Sequence, residues 1–411
     1  QGVYGVENNK PFPGEGKTIL IYNFGAKLVP DYDRDQTFSN EDETRVNAGE
    51  AWYIWCNNDD DCRQGEEDSS INDSDPYNTK VCGIYDLDDF FPVQFRLGEA
   101  LADYMKKHPT AYLAVAGTSL GCVWVHDNEM GVEDFYSGTG TCYGISGTQA
   151  ALEADVQSLA DYLFQKGEAR FPTHMMDELM SGQRRTVTVL VEGQEIDADA
   201  PEGMRLLLHV LDEEEDEEEV ITLASLDVRC HDVEAFYGIL DLTDGSALQE
   251  PSLQTGTDTS VFFVHGYNVD RSAAEVWYQE IFKRLWQSGM NARFYGVTWE
   301  SDEEFLIPNY YANVENAFVA AGRLSAALRG REERKVVMAH SLGNMVVSSA
   351  IQDHEAPVDV YFMLNSAVPA EAYDTDAPTY DFSIEDVPEG LIHDDWDAYP
   401  PKSYAALWYR H

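Results

Sequence analysis

Residues 336–344 read Val-Val-Met-Ala-His-Ser-Leu-Gly-Asn, and this stretch decides the fold of the C-terminal part of the chain. The apolar run Lys335–His340 predicts a buried strand, and Met345–Gln352 predicts a helix that begins just after it. A turn this tight between strand and helix exposes the hydroxyl of Ser341 at the carboxyl end of the strand, where it can act as a nucleophile. The residues two before and two after the serine must then be small, and they are an alanine and Gly343.

Two backbone amides near this serine are predicted to form an oxyanion hole. The amide of Leu342 lies at the start of the predicted helix, whose positive end stabilises a developing negative charge. We expect a second donor in the loop after the first strand of the same segment of the chain. Here the apolar run Ser260–Val264 is followed by His265–Asn268, with the sequence His-Gly-Tyr-Asn. We expect the amide of Tyr267 to be this donor.

From about residue 258, predicted strands alternate with amphipathic helices. The strands are nearly continuous apolar runs, which is typical of parallel strands that are covered on both faces. We therefore predict an α/β fold for residues 251–411. The predicted strands are Ser260–Val264, Arg293–Thr298, Lys335–His340 and Val358–Leu364, and the predicted helices are Ser272–Gln287, Val314–Leu328 and Met345–Gln352.

These motifs resemble the α/β-hydrolase superfamily, and within it bacterial lipase-like or esterase-like proteins with HGYN and AHSMGN-type motifs. The matching residues are His265–Asn268, Val297–Trp299 and Ala339–Asn344, and the resemblance covers roughly residues 258–370. It implies a parallel sheet flanked by helices and an ester-containing substrate. The site residues it implies are Ser341 as nucleophile, the amides of Tyr267 and Leu342 as oxyanion donors, and His265, Gly266 and Gly343 as motif residues.

The catalytic acid and histidine are left open by the sequence. The resemblance implies the chain order serine, acid, histidine, with the last two on loops after two further strands. Only 47 residues follow Leu364, and they are rich in proline. Asp374 and His393 are weak candidates for the two roles. The alternatives are that both groups lie beyond His411, so that the domain is incomplete here, or that the site is inactive.

Charge excludes several classes of protein. The 411 residues include 27 basic and 75 acidic side chains, which gives a formal net charge of −48. A surface this negative repels phosphate backbones and anionic lipids, so we expect no nucleic-acid partner. No apolar run approaches the ~20 residues that a membrane-spanning helix needs, so we expect no transmembrane segment.

The first residue and the cysteines favour secretion. The chain begins with Gln1 rather than Met, which is typical of a trimmed precursor. Six cysteines without a CxxC pair favour disulfide bonds in an oxidising compartment. Cys56–Cys62 and Cys122–Cys142 are the pairs we expect from their short loops, and buried thiols are the alternative. We therefore expect an extracellular or cell-surface location.

The part of the chain before the α/β domain has two stretches with different predicted secondary structure. Residues 1–184 mix strand-like runs with acidic loops and helical segments, which predicts a mixed α+β region. Residues 185–250 contain the short β-runs Thr186–Val191, Arg205–Leu211 and Val220–Leu226, which predict a small β-rich domain.

An acidic loop at residues 31–42, with the sequence DYDRDQTFSNED, has the spacing of a cation site. Oxygen-bearing side chains at alternate positions surround one point, and hard cations such as Ca²⁺ prefer such ligands. The loop resembles an EF-hand-like calcium loop of the dockerin type, although Gln36 stands where glycine normally permits the sharp turn. A solvated loop without an ion is the alternative. The predicted ligands of a structural Ca²⁺ are the side chains of Asp31, Asp33, Asp35 and Asp42 and the carbonyl of Thr37.

Together these features predict a secreted serine hydrolase, similar to carboxylesterases or lipases, that forms an acyl-enzyme on Ser341. The alternative is an extracellular surface or filament-forming protein that uses an inactive hydrolase fold as a scaffold. A homo-oligomer or a surface assembly is compatible with either interpretation.

Overall fold

The computed structural model describes two compact units, which divide the chain between His231 and Asp232. None of the helices in the described part of the chain is both long enough and apolar enough to cross a membrane. The described residues are 24–55, 89–117, 120–124, 168–171, 173–183, 185–193, 203–212, 217–253, 257–301, 310–374, 376, 399–400 and 402–409.

The first unit contains two four-stranded antiparallel sheets. Its strands are β1 Lys27–Pro30, β2 Trp52–Trp55, β3 Phe90–Arg96, β4 Tyr112–Ala116, β5 Leu120–Trp124, β6 Glu168–Arg170, β7 Thr186–Gly193, β8 Met204–Asp212, β9 Glu217–Leu226 and β10 Val228–His231. One sheet has the strand order β1-β3-β7-β5 and the other has the order β6-β4-β8-β9. Strands β2 and β10 pair in parallel as a separate two-stranded sheet. The described helices of this unit are α1 Asn40–Asn47, α2 Glu99–Lys107 and α3 Thr173–Ser181.

The division of the chain differs from the predicted boundaries at 184/185 and 250/251. The strands predicted for a separate β-rich domain pair with strands of the N-terminal region, since β7 lies between β3 and β5, and β8 pairs with β4. Val93 of β3 lies opposite Val189 of β7, and both side chains are fully buried. Burial of apolar faces fixes this pairing between distant segments, and a local change in sequence composition does not reveal it.

The second unit is built on a six-stranded sheet with the order β12-β11-β14-β13-β15-β16. Edge strand β12 is antiparallel to its neighbour, and the other neighbouring strands are parallel. Each predicted strand and helix from residue 258 to residue 364 is present within a few residues of its predicted bounds. The elements are strands β11 Gly238–Asp241, β12 Ala247–Gln249, β13 Thr259–Val264, β14 Arg293–Thr298, β15 Arg334–His340 and β16 Val360–Leu364, and helices α4 Arg271–Gln287, α5 Tyr310–Arg329, α6 Gly343–Gln352 and α7 Tyr404–Tyr409.

Alternating side chains of the inner strands bury both faces of this sheet. Phe262 of β13 belongs to a cluster with apolar residues of α5 and α6, such as Leu324 and Val346. The adjacent residue Phe263 faces the other way and meets Tyr278 of α4, with 6.3 Å between the ring centroids. Successive side chains of a strand point to opposite faces, so one inner strand contributes to both layers. This burial fixes the carboxyl ends of β13 and β15 side by side.

The predicted disulfide pairs fall on residues that the structure leaves undescribed. Cys56, Cys62 and Cys142 lie outside the described residues, and Cys122 lies on β5 without a described side chain. Cys230, at the end of the first unit, is a buried thiol. The two pairs therefore remain predictions.

Candidate functional site

Ser341 lies in the tight turn between β15 and α6, and its backbone has a φ of 50°. This left-handed conformation is uncommon for a residue other than glycine, because the side chain crowds its own backbone. Strained residues of this kind persist only where the surrounding structure holds them, and they cluster at functional sites. The side chain of Ser341 is partly exposed to solvent. The turn therefore has the geometry that presents a hydroxyl for reaction.

Hydrogen bonds hold the Ser341 backbone from three directions. Its amide donates to the carbonyl of Leu364 on β16 at 3.0 Å, and its carbonyl accepts from the amide of Ala367 at 3.2 Å. The side-chain amide of Asn344 donates to the same carbonyl at 2.9 Å. These bonds come from two different segments, so they can maintain the strained φ of the serine.

A side chain would meet close neighbours at two glycine positions around the turn. A Cβ on Gly343 would lie 2.4 Å from the carbonyl oxygen of His265, a separation that no side chain tolerates. A Cβ on Gly266 would lie 3.0 Å from the Cβ of Ser341. The loop after β13 therefore packs directly against the serine turn, and these glycines make the close approach possible.

The two predicted oxyanion donors lie at the same edge of the sheet as the serine. Val264 of β13 is the register partner of Ala339 of β15, so the segments carrying Tyr267 and Leu342 leave neighbouring parallel strands at the same end. Within the part of the chain that is described, neither backbone amide has a hydrogen-bond acceptor. Their assignment as oxyanion-hole donors remains a prediction.

His265 is fully buried and positions the loop that follows β13. Its Nδ1 lies 3.1 Å from the carbonyl of Gly266, and its Nε2 accepts from the amide of Trp299 at 3.4 Å. These contacts assign the neutral tautomer with the proton on Nδ1. Burial lowers the pKa of His265 to about 4, so it stays neutral at physiological pH. A ring held in this way serves the structure of the loop rather than proton transfer to substrate.

His340 directly precedes the serine, but its ring packs against a tryptophan. Its ring centroid lies 5.0 Å from that of Trp277, and burial lowers its pKa. Gly266 lies beside it, because a Cβ there would come within 3.2 Å of its Nδ1. His340 is therefore a neighbour of the nucleophile turn that helps to fix it.

Of the two candidates for catalytic acid and base, Asp374 is among the described residues and His393 is not. Asp374 is exposed after a short 3₁₀ turn, Ala370–Tyr373, and its Oδ1 accepts from the amide of Asp376 at 2.9 Å. His393 lies outside the described residues. Among the residues that are described, no histidine is hydrogen-bonded to Ser341, and the base remains a prediction.

Sequence reasoning assigned no role to Asn344, which organises a chain of hydroxyls behind the turn. Its Oδ1 accepts from the hydroxyl of Tyr361 at 2.7 Å. Ser348, one helical turn further along α6, lies 2.9 Å from the hydroxyl of Tyr373 and 3.4 Å from that of Tyr361. Burial raises the pKa of Tyr361, so its hydroxyl stays protonated and can donate. The signal was present as two polar residues, Asn344 and Ser348, that are four apart and therefore lie on one face of the helix.

A cavity of about 230 Å³ opens at the carboxyl ends of β11 and β14. Ser341 does not line it, so it is a feature separate from the turn at Ser341. Its lining residues are Thr243, Val269, Asp270, Arg271, Thr298, Trp299, Glu300 and Ser301.

In the first unit, the structure brings together three of the five predicted calcium ligands. One carboxylate oxygen from each of Asp31, Asp33 and Asp35 lies within 4.8 Å of the others. Burial, reinforced by the nearby charges of Asp42 and Asp33, raises the pKa of Asp31 to about 7. Gln36 adopts the left-handed conformation expected at the glycine position, with a φ of 69°.

The other two predicted ligands make different contacts. The Asp42 carboxylate accepts hydrogen bonds from the amides of Tyr32 and Ser39, each at 2.8 Å, and it caps the start of α1. Thr37 donates from its amide and its hydroxyl to Asp35 Oδ1, at 2.8 and 2.7 Å. These contacts do not involve the Thr37 carbonyl, and the five-ligand set remains a prediction.

Comparison with known proteins supports the superfamily for part of the second unit. Residues 247–367 match a family described as alpha/beta hydrolase of unknown function (DUF900), which is less than a third of the 411 residues. No curated protein matches the chain. The family match and the parallel sheet with its flanking helices together support an α/β-hydrolase fold for this part of the chain.

Proposed function

We propose that the protein is a serine hydrolase that cleaves carboxylic esters through an acyl-enzyme on Ser341. The observation that carries this proposal is the strained φ of 50° at Ser341, at the carboxyl end of a parallel strand and against the His265–Asn268 loop. A structural serine in an ordinary strand–helix turn needs no such conformation, whereas a nucleophile on an elbow does.

The proposed reaction has two steps. The Ser341 oxygen attacks the ester carbonyl carbon, and a histidine takes the hydroxyl proton. The amides of Leu342 and Tyr267 donate to the oxyanion of the tetrahedral intermediate. The intermediate collapses, the alcohol leaves with the proton, and the acyl group stays on Ser341. A water molecule, deprotonated by the same histidine, then releases the acid. His393 is the proposed base and Asp374 the proposed acid.

Hydrolysis of p-nitrophenyl esters tests this activity and its nucleophile together. We expect the full-length protein to release p-nitrophenol with an initial burst and Ser341→Ala to lose the activity. Ser288→Ala is a matched control, because Ser288 is exposed and its hydroxyl donates to the carbonyl of Arg284. Equal activity of the Ser341→Ala and wild-type proteins would contradict the proposal, as would the absence of hydrolysis across acyl chain lengths by the folded protein.

A second candidate function is that of an extracellular surface or filament-forming protein with an inactive hydrolase fold. Edge strand β16 favours it, because Phe362 and Met363 are 50% and 44% exposed there. An exposed apolar edge strand can pair with another chain. A folded protein without ester hydrolysis that forms concentration-dependent oligomers in light scattering would favour this candidate over the enzyme.

We also propose that the protein acts outside the cell, in keeping with its net charge of −48 and its six cysteines. Alkylation of the denatured protein with and without reduction tests the disulfide component. We expect more alkylated cysteines after reduction, and an unchanged number would contradict it.

A further inference from the structure

Three carboxylates in the first unit converge on one point. One oxygen from each of Asp31, Asp33 and Asp35 lies within 4.8 Å of the other two. Carboxylates repel each other at such separations, so the arrangement is stabilised when a shared proton or a cation lies between them. Exposed acidic groups can lie close together without an ion, and the cluster alone therefore decides nothing.

Asp31 supplies a second, independent observation. Its side chain is only 6% exposed, and its Oδ2 accepts from the amide of Gln36 at 3.0 Å. Its Oδ1 is buried and accepts no hydrogen bond from any residue that the structure describes. A buried carboxylate oxygen without a partner costs free energy, and native structures almost always satisfy such an atom. Asp31 is itself one of the three converging carboxylates, so this unsatisfied oxygen belongs to a side chain of the cluster.

We propose that Asp31, Asp33 and Asp35 bind one divalent cation of the calcium type. The cation supplies the partner that Asp31 Oδ1 lacks and neutralises the repulsion within the cluster. Calcium accepts six to eight oxygen ligands in flexible geometry, so three carboxylates of a short loop with added water or backbone oxygens can satisfy it. Magnesium requires a near-ideal octahedron and loses its water reluctantly, and it fits such a loop less well.

Asp42 has a positioning role rather than a place in this ligand set. Its Oδ1 accepts from the amide of Tyr32, while its Oδ2 accepts from the amide and hydroxyl of Ser39 at 2.8 and 2.9 Å. The carboxylate thus ties the two ends of the loop together. This refines the sequence prediction to a site with three carboxylates.

Calcium titration of the chelator-treated full-length protein tests the site. Because the net charge of −48 attracts cations without specificity, the titration is made at about 0.15 M KCl, which screens exposed charges. Calorimetry with CaCl₂ is expected to show one saturable site that MgCl₂ fills at least tenfold more weakly. The melting temperature is expected to rise with calcium, because binding to the native state stabilises it.

Variants separate this site from general attraction to an acidic surface. Asp33→Asn and Asp35→Asn are expected to weaken calcium binding at least tenfold and to remove the melting shift. Both side chains lie at the surface side of the loop, so these variants are expected to fold. Asp103→Asn is the matched control, because it removes one charge from an exposed position of α2 and is expected to bind as the wild type does.

Three results would overturn the proposal. They are the absence of a saturable site in the wild type, equal binding by Asp33→Asn and the wild type, and equal loss in Asp33→Asn and Asp103→Asn. The proposal uses only residues of the first unit and does not depend on ester hydrolysis by the second. Either proposal can therefore fail alone.

Discussion

Asn344 donates a hydrogen bond from its side-chain amide to the carbonyl oxygen of Ser341, at 2.9 Å. The same side chain is fully buried and accepts from the hydroxyl of Tyr361 on β16. It thereby connects the strained serine to the neighbouring strand. The relationship makes Asn344 a residue that positions the backbone of Ser341.

The Asn344→Asp variant tests this positioning role. Aspartate keeps the acceptor for Tyr361 but replaces the donor with an oxygen that repels the Ser341 carbonyl. We expect the rate of reaction with a fluorophosphonate probe to fall at least tenfold in protein that circular dichroism shows to be folded. Tyr361→Phe removes the hydrogen bond that Asn344 Oδ1 accepts and is expected to reduce the rate much less. Equal rates in Asn344→Asp and the wild type would show that Asn344 has only a structural role.

Gly343→Ala is expected to destabilise the second unit. The added Cβ would lie 2.4 Å from the carbonyl oxygen of His265, so the loop after β13 must move. Overpacking of this kind costs about 1–3 kcal/mol in the free energy of unfolding. In Gly330→Ala, the nearest atom to the new Cβ would be 3.6 Å away, and we expect little change. Urea denaturation of both variants measures the difference, and equal stabilities would contradict the close approach.

The buried neutral His265 predicts a loss of stability in mild acid. Burial lowers the pKa of this histidine from 6.5 to about 4 in the folded protein. The unfolded state therefore binds more protons between these values, and the free energy of unfolding falls as the pH drops below about 6.5. The contribution of this one group between pH 7 and pH 5 is on the order of 2 kcal/mol.

Urea denaturation at pH 7 and pH 5 isolates this contribution when the wild type is compared with His265→Asn. The variant has no titrating ring, so it is expected to lose less stability between the two pH values. His354→Asn removes an exposed histidine and is expected to follow the wild type. An identical pH dependence in His265→Asn and the wild type would contradict the assignment of a buried neutral ring.

Gln36→Gly is expected to stabilise the acidic loop by about 0.5–1 kcal/mol, because glycine adopts the φ of 69° without a steric penalty. Gly49 provides the reverse test, since it has a φ of 72° and open space around the position of a Cβ. Gly49→Ala is therefore expected to destabilise the protein by about 1 kcal/mol through backbone strain alone. Melting curves of the two variants should shift in opposite directions, and shifts of the same sign would contradict this interpretation.

The sequence predicts those parts of the fold that have a short local sequence pattern. The strand before Ser341, the helix after it and the loop at His265 each have a short apolar or glycine signature, and they occur at the predicted places. The pairing of β11 with β14 has no such signature, because Leu240 and Val297 meet across more than fifty residues. Pairing at this distance depends on the packing of whole faces, and so the boundaries of the two units differ from those predicted.

In the candidate site, too, some features follow from local sequence and others depend on the tertiary fold. The tight turn at Ser341 and the close approach of the His265–Asn268 loop each follow from a short local motif. The bonds that hold the turn come from Leu364, Ala367 and Tyr361, which only the tertiary fold brings near. In the acidic loop, spacing identified the three converging aspartates, whereas the capping bonds that occupy Asp42 depend on where α1 begins.

The most direct test of the central claim is to map the residue that a fluorophosphonate probe modifies on the full-length protein, by tandem mass spectrometry. We expect a single adduct on the Ser341 hydroxyl, unchanged in Ser288→Ala and absent from Ser341→Ala. Folded protein that forms no adduct, or forms it on another residue, would contradict the claim that this strained turn presents a reactive nucleophile.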